Sequence, residues 1–422
     1  MFELTHVDTE AEASIRGSVE VELLERPGQL SVADQQVVNL TSQWGLDVID
    51  QQSLTRNNQF NYFFKGAGTH IYIVDTGIRC SHVEFPSSTC QGTGYSAVGG
   101  PPWVDAVGHG TSMASLAAGL TTGTARQATL HSVRVALTAG GNDEGDVIDG
   151  LHWVRDYATQ PAVANVSLAN TNGPLQGSFK TALNELAASG VMVMVGAGNG
   201  GLDGIGDNVC NLNYNQLLGE IIVISAVDVQ GVRPGFANFG ACLDIFAPGI
   251  ALRRATAAAD NSYDDLGGGT SSATAIVTGV VATIRQQRPT ASGPAILAHL
   301  QYSGTSGLLS SLGSGSPNLL VNSLALHHLG LTGPASVLTV PNHQYQTWTV
   351  SSPWGGDGTY TYAWYASVNY APYVLVGTSQ SYTRFFPRFS EYTLILRAEV
   401  SSAGVTFTNV PELTIPVTCG GC

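Results

Sequence analysis

Three polar residues of the 422-residue chain, Asp75, His109 and Ser271, are of the types that cooperate in nucleophilic catalysis. A serine hydroxyl alone is a weak nucleophile, and it needs a base that can take its proton near neutral pH. Histidine can serve as that base, and a carboxylate can fix the imidazole tautomer and stabilise the imidazolium that forms. If the fold brings the three residues together, they predict acyl transfer through a serine nucleophile.

Each of the three residues could instead have a common structural role. A serine in the first turn of a helix is often a cap, an aspartate after a strand is often a turn residue, and most histidines are satisfied core or surface residues. The local sequence favours the chemical role. Asp75 ends an apolar run, His109 precedes small residues that permit close helix packing, and Ser271 follows three glycines.

The segments that must position these residues alternate between apolar runs and helical patterns from about residue 36 to about residue 305. Several apolar runs lack polar alternation, which is typical of strands covered on both faces. The alternation predicts an α/β fold, a parallel sheet flanked by helices, with ligands at the carboxyl ends of the strands. The predicted strands are His70–Asp75, Thr129–Val135, Ala162–Leu168, Val191–Ala197, Ile221–Val227 and Leu243–Phe246, and the predicted helices span 109–121, 143–158, 179–189, 271–287 and 294–302.

Three motifs surround the candidate residues, in the chain order aspartate, histidine, serine. Each motif alone has little specificity, but together they resemble the signatures of the subtilisin-like serine proteases (subtilases), and the proteinase K-like branch fits best. The resemblance covers roughly residues 36–325 and implies a secreted serine endopeptidase with a subtilisin-like fold. The motifs are Val74-Asp75-Thr76-Gly77-Ile78, Gly108-His109-Gly110-Thr111 and Gly269-Thr270-Ser271-Ser272-Ala273.

The resemblance implies a role for each matching residue. Ser271 would attack the peptide carbonyl, His109 would accept and return the proton, and Asp75 would orient the imidazole. Asn199 matches the oxyanion asparagine of the family, and no cofactor is required for the chemistry. The extended edge that binds the substrate would include Ser167, Leu168, Ala169 and Gly198.

The chain departs from the family pattern close to these residues. Ala169 stands where the family usually has glycine, and we expect its methyl group to narrow the specificity pocket and to favour smaller side chains. Ser272, Ala275 and Ile276 stand where the family has methionine, proline and histidine. We expect these changes to alter the packing and to retain the chemistry.

A second serine motif, at residues 110–114, imitates the nucleophile motif. It directly follows His109, so Ser112 would lie in the helix of the histidine itself, and chain order therefore favours Ser271. A catalytically inactive homologue that acts as a binding module is the alternative function. A serine esterase of the α/β-hydrolase type is disfavoured, because no Gly-x-Ser-x-Gly elbow surrounds Ser271 and the triad order differs.

The six cysteines are even in number and lie in loop-like settings, which favours disulfides and an oxidising compartment. Six reduced thiols are the alternative. The resemblance supports one of the bridges, and it also implies a structural calcium site at Asp244 completed by backbone carbonyls. A salt bridge or a turn is the alternative role for Asp244. The predicted disulfides are Cys80–Cys90, Cys210–Cys242, which the resemblance supports, and Cys419–Cys422.

Composition limits the partners and the location. The net charge of −14 argues against a nucleic-acid partner, and no apolar run reaches the roughly 18–20 residues that span a bilayer. The expected partners are protein or peptide substrates, and the chain is expected to be monomeric. The first residues lack the features of a signal peptide, and residues 1–35 resemble the end of an inhibitory propeptide. We therefore expect a zymogen whose signal peptide is missing from this chain.

After about residue 330, short candidate strands alternate with turns rich in Gly, Pro and Ser. This pattern predicts a β-sandwich over residues 331–422, of immunoglobulin-like type, with Trp364 as its core anchor. No family motif supports a role for this segment. The predicted domains are thus a propeptide remnant at 1–35, a peptidase domain at 36–325 and this accessory domain.

Overall fold

The computed structural model describes the chain from residue 34 onward with gaps, and the described residues belong to one unit, Ala33–Cys422. Residues 1–33, Ala169 and the predicted Cys419–Cys422 bridge lie outside the described part. The described ranges are 34–39, 41–138, 143–168, 173–200, 203–323, 326–327, 331–332, 337–339, 344–350, 354–355, 361–369, 371–386, 392–402, 405–407 and 413–419.

Six α-helices lie in the described ranges, and two of them start with a side-chain cap. Asp143 accepts a hydrogen bond from the backbone of Gly145 at one start, and Ser292 accepts one from Ala295 at another. Sequence periodicity predicts five of the six. The helices are α1 (Trp44–Ile49), α2 (His109–Ala118), α3 (Glu144–Tyr157), α4 (Gly177–Ala188), α5 (Thr270–Gln287) and α6 (Gly293–Ser303).

The strands before residue 323 include the predicted ones, with shifts of at most two residues at their ends. Their bounds are β1 (Asp34–Val37), β2 (Gln59–Tyr62), β3 (His70–Asp75), β4 (Tyr95–Ser96), β5 (Thr129–Arg134), β6 (Ala162–Val166), β7 (Met192–Gly196), β8 (Ile221–Val227), β9 (Ile245–Pro248), β10 (Arg254–Ala255), β11 (Tyr263–Asp264), β12 (Thr305–Ser306) and β13 (Leu319–Leu320).

Nine of these strands form the main sheet, in the order β12-β13-β9-β8-β7-β6-β3-β5-β4. Neighbouring strands pair in parallel, except that β12 and β13 are antiparallel. The carboxyl ends of parallel strands meet at one edge of a sheet. The residues that follow β3, β6 and β7 therefore lie at the same edge, and these are the segments that carry Asp75, Ser167 and Asn199.

The core explains why the strand sequences show little polar alternation. Every residue of β6, β7 and β8 is buried, because helices cover both faces of the sheet. Helix α5 packs against these strands and also against α2. A Cβ atom on Gly279 of α5 would lie 2.4 Å from the carbonyl oxygen of Ala117 in α2. The two helices therefore cross with their backbones almost in contact, which only glycine permits at this point.

The C-terminal region contains small sheets that are mostly antiparallel. A three-stranded sheet (β15-β17-β21) and a larger one (β16-β24-β22-β19-β20, with β23 on β22) are joined by aromatic packing. Trp364 is fully buried, and its ring centroid lies 5.9 Å from that of Tyr382 on the other sheet. The strands are β14 (Leu326–His327), β15 (Leu331–Thr332), β16 (Val337–Thr339), β17 (Gln344–Val350), β18 (Trp354–Gly355), β19 (Thr361–Val368), β20 (Val374–Gly377), β21 (Ser381–Phe386), β22 (Tyr392–Ser402), β23 (Val405–Phe407) and β24 (Leu413–Cys419).

These sheets fit the prediction of a β-rich accessory region. The indole nitrogen of Trp364 donates to the carbonyl of Ser379 at 2.8 Å, so the buried side chain is satisfied as well as packed. Its role as a core anchor agrees with its complete burial. The immunoglobulin-like type and the exact domain bounds remain predictions.

Two disulfide bonds are present, Cys80–Cys90 and Cys210–Cys242, which confirms two of the three predicted pairs. The bonded cysteines are 10 and 32 residues apart in the sequence, and both bonds lie in the part of the chain that precedes the C-terminal sheets. Within the described ranges, no helix combines the length and the apolar character that a bilayer crossing needs.

Two histidines, His70 and His131, lie in the amino-terminal halves of strands β3 and β5, away from the edge of the sheet that carries Asp75. His131 of β5 is buried and stacks on the ring of Tyr72 at 4.1 Å. Its Nδ1 lies 3.0 Å from the carbonyl oxygen of Thr93, so Nδ1 must be the donor and Nε2 the acceptor of a 2.9 Å hydrogen bond from His70. Burial, followed by the neighbouring His70, lowers the pKa of His131 to about 4.

This pair predicts a loss of stability in acid. The pKa of His131 is lower in the folded protein than the unfolded value of about 6.5, so the unfolded chain binds the proton first as pH falls. The free energy of unfolding should therefore decrease from about pH 6.5 to about pH 4, by about 3 kcal/mol. His131→Asn keeps a donor for Thr93 and cannot ionise, so thermal unfolding of this variant should depend less on pH over that window.

The control for this prediction is His152→Asn, because His152 is a partly exposed histidine on helix α3. This variant should keep the acid sensitivity of the parent. Equal pH dependence of the parent and His131→Asn would contradict the role given to the buried pair.

Candidate active site

Asp75 and His109 form the central contact of the site. Asp75 is the last residue of β3 and is fully buried, whereas His109 is the first residue of α2. The Nδ1 atom of His109 lies 2.8 and 2.9 Å from the two carboxylate oxygens of Asp75. Both acceptors are carboxylate oxygens, so Nδ1 carries the proton and Nε2 is left as the basic nitrogen.

This contact requires a close approach of the helix to the end of the strand. A Cβ atom on Gly110 would lie 2.2 Å from the carbonyl oxygen of Gly77 and 3.1 Å from the Cβ of Asp75. Any other residue at position 110 would push the helix start away from the strand. The glycine after His109 is thus a steric requirement of the Asp75–His109 contact.

Opposing effects set the ionisation of His109. Burial lowers its pKa, but the negative charge of Asp75 and the hydrogen bond to that carboxylate raise it, and the net result is a raised pKa. Arg254 lowers the pKa and Asp105 raises it by smaller amounts. The neutral imidazole therefore becomes the main form only at a higher pH than for an isolated histidine.

Ser271 lies in the first turn of α5 and is partly exposed. Its Oγ donates to the carbonyl oxygen of Ser167 at 3.1 Å, and the Ser167 hydroxyl faces the carbonyl oxygen of Ser271 at 3.3 Å. Across the described residues, no hydrogen bond joins Ser271 to His109. The structure therefore places Ser271 beside the end of β6, with its hydroxyl turned toward the predicted substrate edge.

Asn199 is exposed and is held by the residue that precedes Ser271. Its Oδ1 accepts from the backbone N–H of Thr270 at 2.9 Å, so its Nδ2 is the group left to donate to another partner. The N–H of Gly198 donates to the Thr270 hydroxyl at 3.1 Å. A Cβ atom on Gly269 would lie 3.0 Å from Asn199 Oδ1, so the glycine before Thr270 makes room for this amide.

Residues 66–315, more than half of the chain, match the sequence profile described as the Subtilase family. The chain belongs to the subtilase family. An extracellular serine proteinase of Thermus sp. (strain Rt41A) is 38% identical over 294 residues, which are 68% of this chain and 69% of the relative. An alkaline proteinase of Hapsidospora chrysogena is 33% identical over 298 residues, which are 70% of each protein.

A solved structure gives the same result for the fold. The crystal structure of a cold adapted subtilisin-like serine proteinase matches with a TM-score of 0.61 and 31% identity, and the match covers 68% of this chain and 99% of that one. The subtilase is therefore a serine-type endopeptidase with a subtilisin-like α/β fold, as the three motifs predict. The profile match ends at residue 315, before the C-terminal sheets.

The second serine motif of the subtilase has a structural role. The Ser112 hydroxyl is buried and contacts the carbonyl oxygens of Ala255 at 2.7 Å and Gly108 at 3.0 Å. The Ala255 contact joins helix α2 to strand β10. The Ser112 hydroxyl is therefore already engaged inside the protein.

The residues that replace the family's methionine, proline and histidine are accommodated inside α5. Ser272, Ala275 and Ile276 are all buried, and the helix runs through them without interruption. The Ser272 hydroxyl is buried with no hydrogen-bond partner. An unpaired buried hydroxyl costs about 1–3 kcal/mol, so this departure is a cost to stability next to the predicted nucleophile.

The predicted substrate edge is braced from the interior by Asn165, which did not enter the sequence predictions. Its amide bridges the Ser167 hydroxyl at 2.9 Å and the hydroxyl of Thr278 in α5 at 3.1 Å. Ser167 and Leu168 follow the last residue of β6, so the chain leaves the sheet at this point. Ala169 lies outside the described residues, and the pocket hypothesis based on its methyl group remains a prediction.

A second residue absent from the sequence predictions, Asn238, holds the segment around Asn199. The buried Asn238 side chain donates to the carbonyl oxygen of Ala197 at 2.7 Å and accepts from the N–H of Gly200 at 3.1 Å. Its backbone N–H donates to the carbonyl oxygen of Gly198 at 3.0 Å. No local motif could identify Asn238, because it acts on a segment about 40 residues earlier in the chain.

Asp244 has a defined structural contact, and its predicted calcium role stays untested. Its Oδ2 accepts from the N–H of Val223 at 2.8 Å, and its Oδ1 lies 3.5 Å from the amide of Gln301. Burial raises the pKa of Asp244 to about 6, and the hydrogen bond from the Val223 N–H opposes that rise. The described residues contain no group of three His, Cys, Asp or Glu side chains that could hold a metal ion, so the predicted site would depend on backbone carbonyls beside Asp244.

Proposed function

We propose that the subtilase hydrolyses peptide bonds through an Asp75-His109-Ser271 triad, with Asn199 and the Ser271 backbone N–H as the oxyanion hole. The observation that carries this proposal is the contact of both buried Asp75 oxygens with His109 Nδ1. That contact leaves Nε2 as a base at the edge of the sheet where Ser271 also lies. Protein and peptide substrates follow from the endopeptidase family.

The first step is activation of the nucleophile. The Ser271 hydroxyl exchanges its contact with the Ser167 carbonyl for one with His109 Nε2, by rotation about its χ1 bond. As Oγ attacks the substrate carbonyl carbon, the proton passes to Nε2, and Asp75 stabilises the imidazolium. The imidazolium then protonates the leaving amine, and a water molecule releases the acyl group by the same path in reverse.

The oxyanion is stabilised by two kinds of donor. The backbone N–H of Ser271 lies at the amino end of α5, where the helix dipole also favours negative charge. The Asn199 amide supplies the second donor, because the Thr270 N–H occupies its Oδ1 and its Nδ2 is the group left to donate. Donors that are fixed before the reaction stabilise developing charge without reorganisation.

Substrate binding is proposed to occur by strand addition beside Ser167 and Leu168. An extended peptide would pair its backbone with this edge, and pockets for alternate side chains would give selectivity. Removal of the Ser271 hydroxyl from the Ser167 carbonyl would free that oxygen to accept an N–H from the substrate. The methyl group of Ala169 would then limit the size of the adjacent side chain.

Secretion, zymogen maturation and a monomeric state are part of the same proposal. Two disulfides support an oxidising compartment, and the relative from Thermus sp. is named an extracellular proteinase. Structural calcium at Asp244 would be expected to raise the melting temperature on addition of Ca²⁺, without taking part in the chemistry.

Labelling with a fluorophosphonate probe tests the proposed nucleophile. Mass spectrometry of the labelled full-length chain should locate the adduct on Ser271, and Ser271→Ala should abolish labelling. Ser112→Ala is the matched control and should be labelled like the parent. An adduct on Ser112, or a folded parent that never reacts, would contradict the triad, and the second result would favour an inactive homologue.

Alanine in place of Asn199 should lower kcat about 10²–10³-fold with a much smaller change in KM, because the lost donor acts on the transition state. Asn199→Asp is the matched variant, since it keeps an acceptor for the Thr270 N–H and loses both Nδ2 donors. It should be at least as slow. Steady-state hydrolysis of a fluorogenic peptide measures both, and a change confined to KM would remove Asn199 from the oxyanion hole.

A further inference from the structure

Helix α2 begins without a cap of its own. The residue at the cap position is Gly108, which has no side chain and adopts a positive φ of 93°. The first amide groups of a helix have no partners within the helix and need acceptors from elsewhere. Here the N–H of Gly110 donates to the Thr76 hydroxyl, and the N–H of Thr111 donates to Asp105 Oδ2, each at 2.9 Å.

The two acceptors are themselves bonded to each other. The Thr76 hydroxyl donates to Asp105 Oδ1 at 2.8 Å. Thr76 directly follows Asp75, and Gly110 directly follows His109. The chain of hydrogen bonds from Thr76 through Asp105 to the start of α2 thus runs beside the Asp75–His109 contact and connects the same two segments.

Asp105 is the centre of this arrangement. It is 8% exposed and accepts five hydrogen bonds, so both of its oxygens are fully engaged. Oδ1 takes the Thr76 hydroxyl and the N–H groups of Val107 and Gly108, and Oδ2 takes the N–H and the hydroxyl of Thr111. A carboxylate at the amino end of a helix is also favoured by the helix dipole.

We propose that Asp105 is a positioning residue of the subtilase, which fixes the distance between Asp75 and His109 by binding Thr76 and the first turn of α2 together. The proposal rests on the triad of the proposed function. An asparagine at position 105 could keep one acceptor oxygen, but it would present N–H groups to the donors of Thr111. The start of α2 would then lose its bond to the loop before it.

The charge of Asp105 gives a readout that a purely structural role would lack. The charged groups that act on His109 are Asp75 at the end of β3, Asp105 in the loop before α2 and Arg254 of β10, and α5 carries no charged residue before Arg285. Burial and Arg254 lower the pKa of His109, and the two carboxylates raise it. His109 must be neutral to accept a proton, so removal of the Asp105 charge should move the acid limb of kcat/KM to lower pH.

Two variants separate positioning from charge. Asp105→Asn removes the charge and the Thr111 contacts, whereas Thr76→Val removes the bridging hydroxyl and leaves the charge in place. Glu84→Gln is the control. Glu84 is a buried carboxylate at the other end of α2 that also accepts five hydrogen bonds, from Thr121, Thr122 and Tyr263.

The experiment measures kcat, KM and the pH profile of the full chain for hydrolysis of a fluorogenic peptide. Rates are divided by the concentration of sites that react with the fluorophosphonate, so that unfolded protein does not count. Asp105→Asn and Thr76→Val should each lower kcat about 10–100-fold and change KM less than about 3-fold, because small displacements of reacting groups are costly. Asp105→Asn should shift the acid limb further than Thr76→Val, because it also removes a negative charge, and Glu84→Gln should lower the melting temperature alone.

The outcomes that overturn the proposal are distinct. If Asp105→Asn lowers the melting temperature but leaves kcat per labelled site and the acid limb unchanged, Asp105 has a structural role only. If Asp105→Asn does not fold, Thr76→Val decides by the same kcat criterion. If the parent is not labelled at Ser271, the triad itself fails, and the role of Asp105 falls with it.

Discussion

Alanine in place of Ser271 is expected to lower kcat about 10⁶-fold, the loss that follows removal of the nucleophile or the base from subtilisin. The variant lacks the oxygen proposed to attack the carbonyl, while Asn199 and the edge at Ser167 are unchanged. A residual acceleration of about 10³–10⁴ over the uncatalysed reaction should remain from binding and the oxyanion donors. Hydrolysis of a fluorogenic peptide at high enzyme concentration measures this remaining activity.

Ser112→Ala is the control for this loss. It removes a buried hydroxyl that bonds to Ala255, so it should lower the melting temperature and change kcat by less than about 3-fold. A loss of about 10⁶-fold would leave far less than one per cent of the parent rate. If Ser271→Ala retained more than about one per cent of that rate, Ser271 would not be the nucleophile.

Replacement of Asp75 by asparagine is expected to lower kcat about 10⁴-fold. An amide can donate to His109 Nδ1, and this favours the tautomer that carries its proton on Nε2. That tautomer cannot accept the proton of Ser271. The buried side chain keeps its size, so circular dichroism should show a folded protein, and peptide hydrolysis per folded molecule gives the loss.

Asp260→Asn is the matched control for Asp75→Asn. Asp260 forms an ion pair with Arg79 at 2.8 Å, and both side chains are well exposed. Exposed pairs contribute about 0–1 kcal/mol, so activity and stability should both stay close to those of the parent. A loss below about tenfold for Asp75→Asn would leave the carboxylate without the orienting role assigned to it.

The sequence predicts the sheet well, because buried parallel strands have largely apolar sequences without polar alternation. The bounds of β3 and β8 agree with prediction at both ends. The ends differ by two residues at β9 and at β6, which ends at Val166 although the predicted strand continues to Leu168. Residues 167 and 168 leave the sheet to form the edge beside Ser271, so the pattern continues into a segment with a different use.

The sequence pattern does not predict helix α1, and the reason is a different one. It spans six residues, fewer than two turns, so it is too short to show a helical repeat. The residue types of a short buried helix carry too little information to predict it alone.

The order of the motifs predicts the main site residues, but it does not predict what holds them. Asp105 lies four residues before His109, and a carboxylate ahead of a helix start is a known capping signal. Asn165 and Asn238 have no such signal, since their partners are distant in the chain. Their roles depend on how loops and helices meet after folding, which no local pattern encodes.

The crossing of α2 and α5 at Gly279 has a consequence for how the subtilase tolerates change. His109 is the first residue of α2 and Ser271 lies in the first turn of α5, and the two helices meet backbone against backbone. Their spacing is therefore set by the thickness of the main chain, which substitutions cannot alter. Substitutions in the surrounding core should therefore leave the spacing of α2 and α5 unchanged. A substitution of Gly279 is the exception, because any side chain there would push the two helices apart.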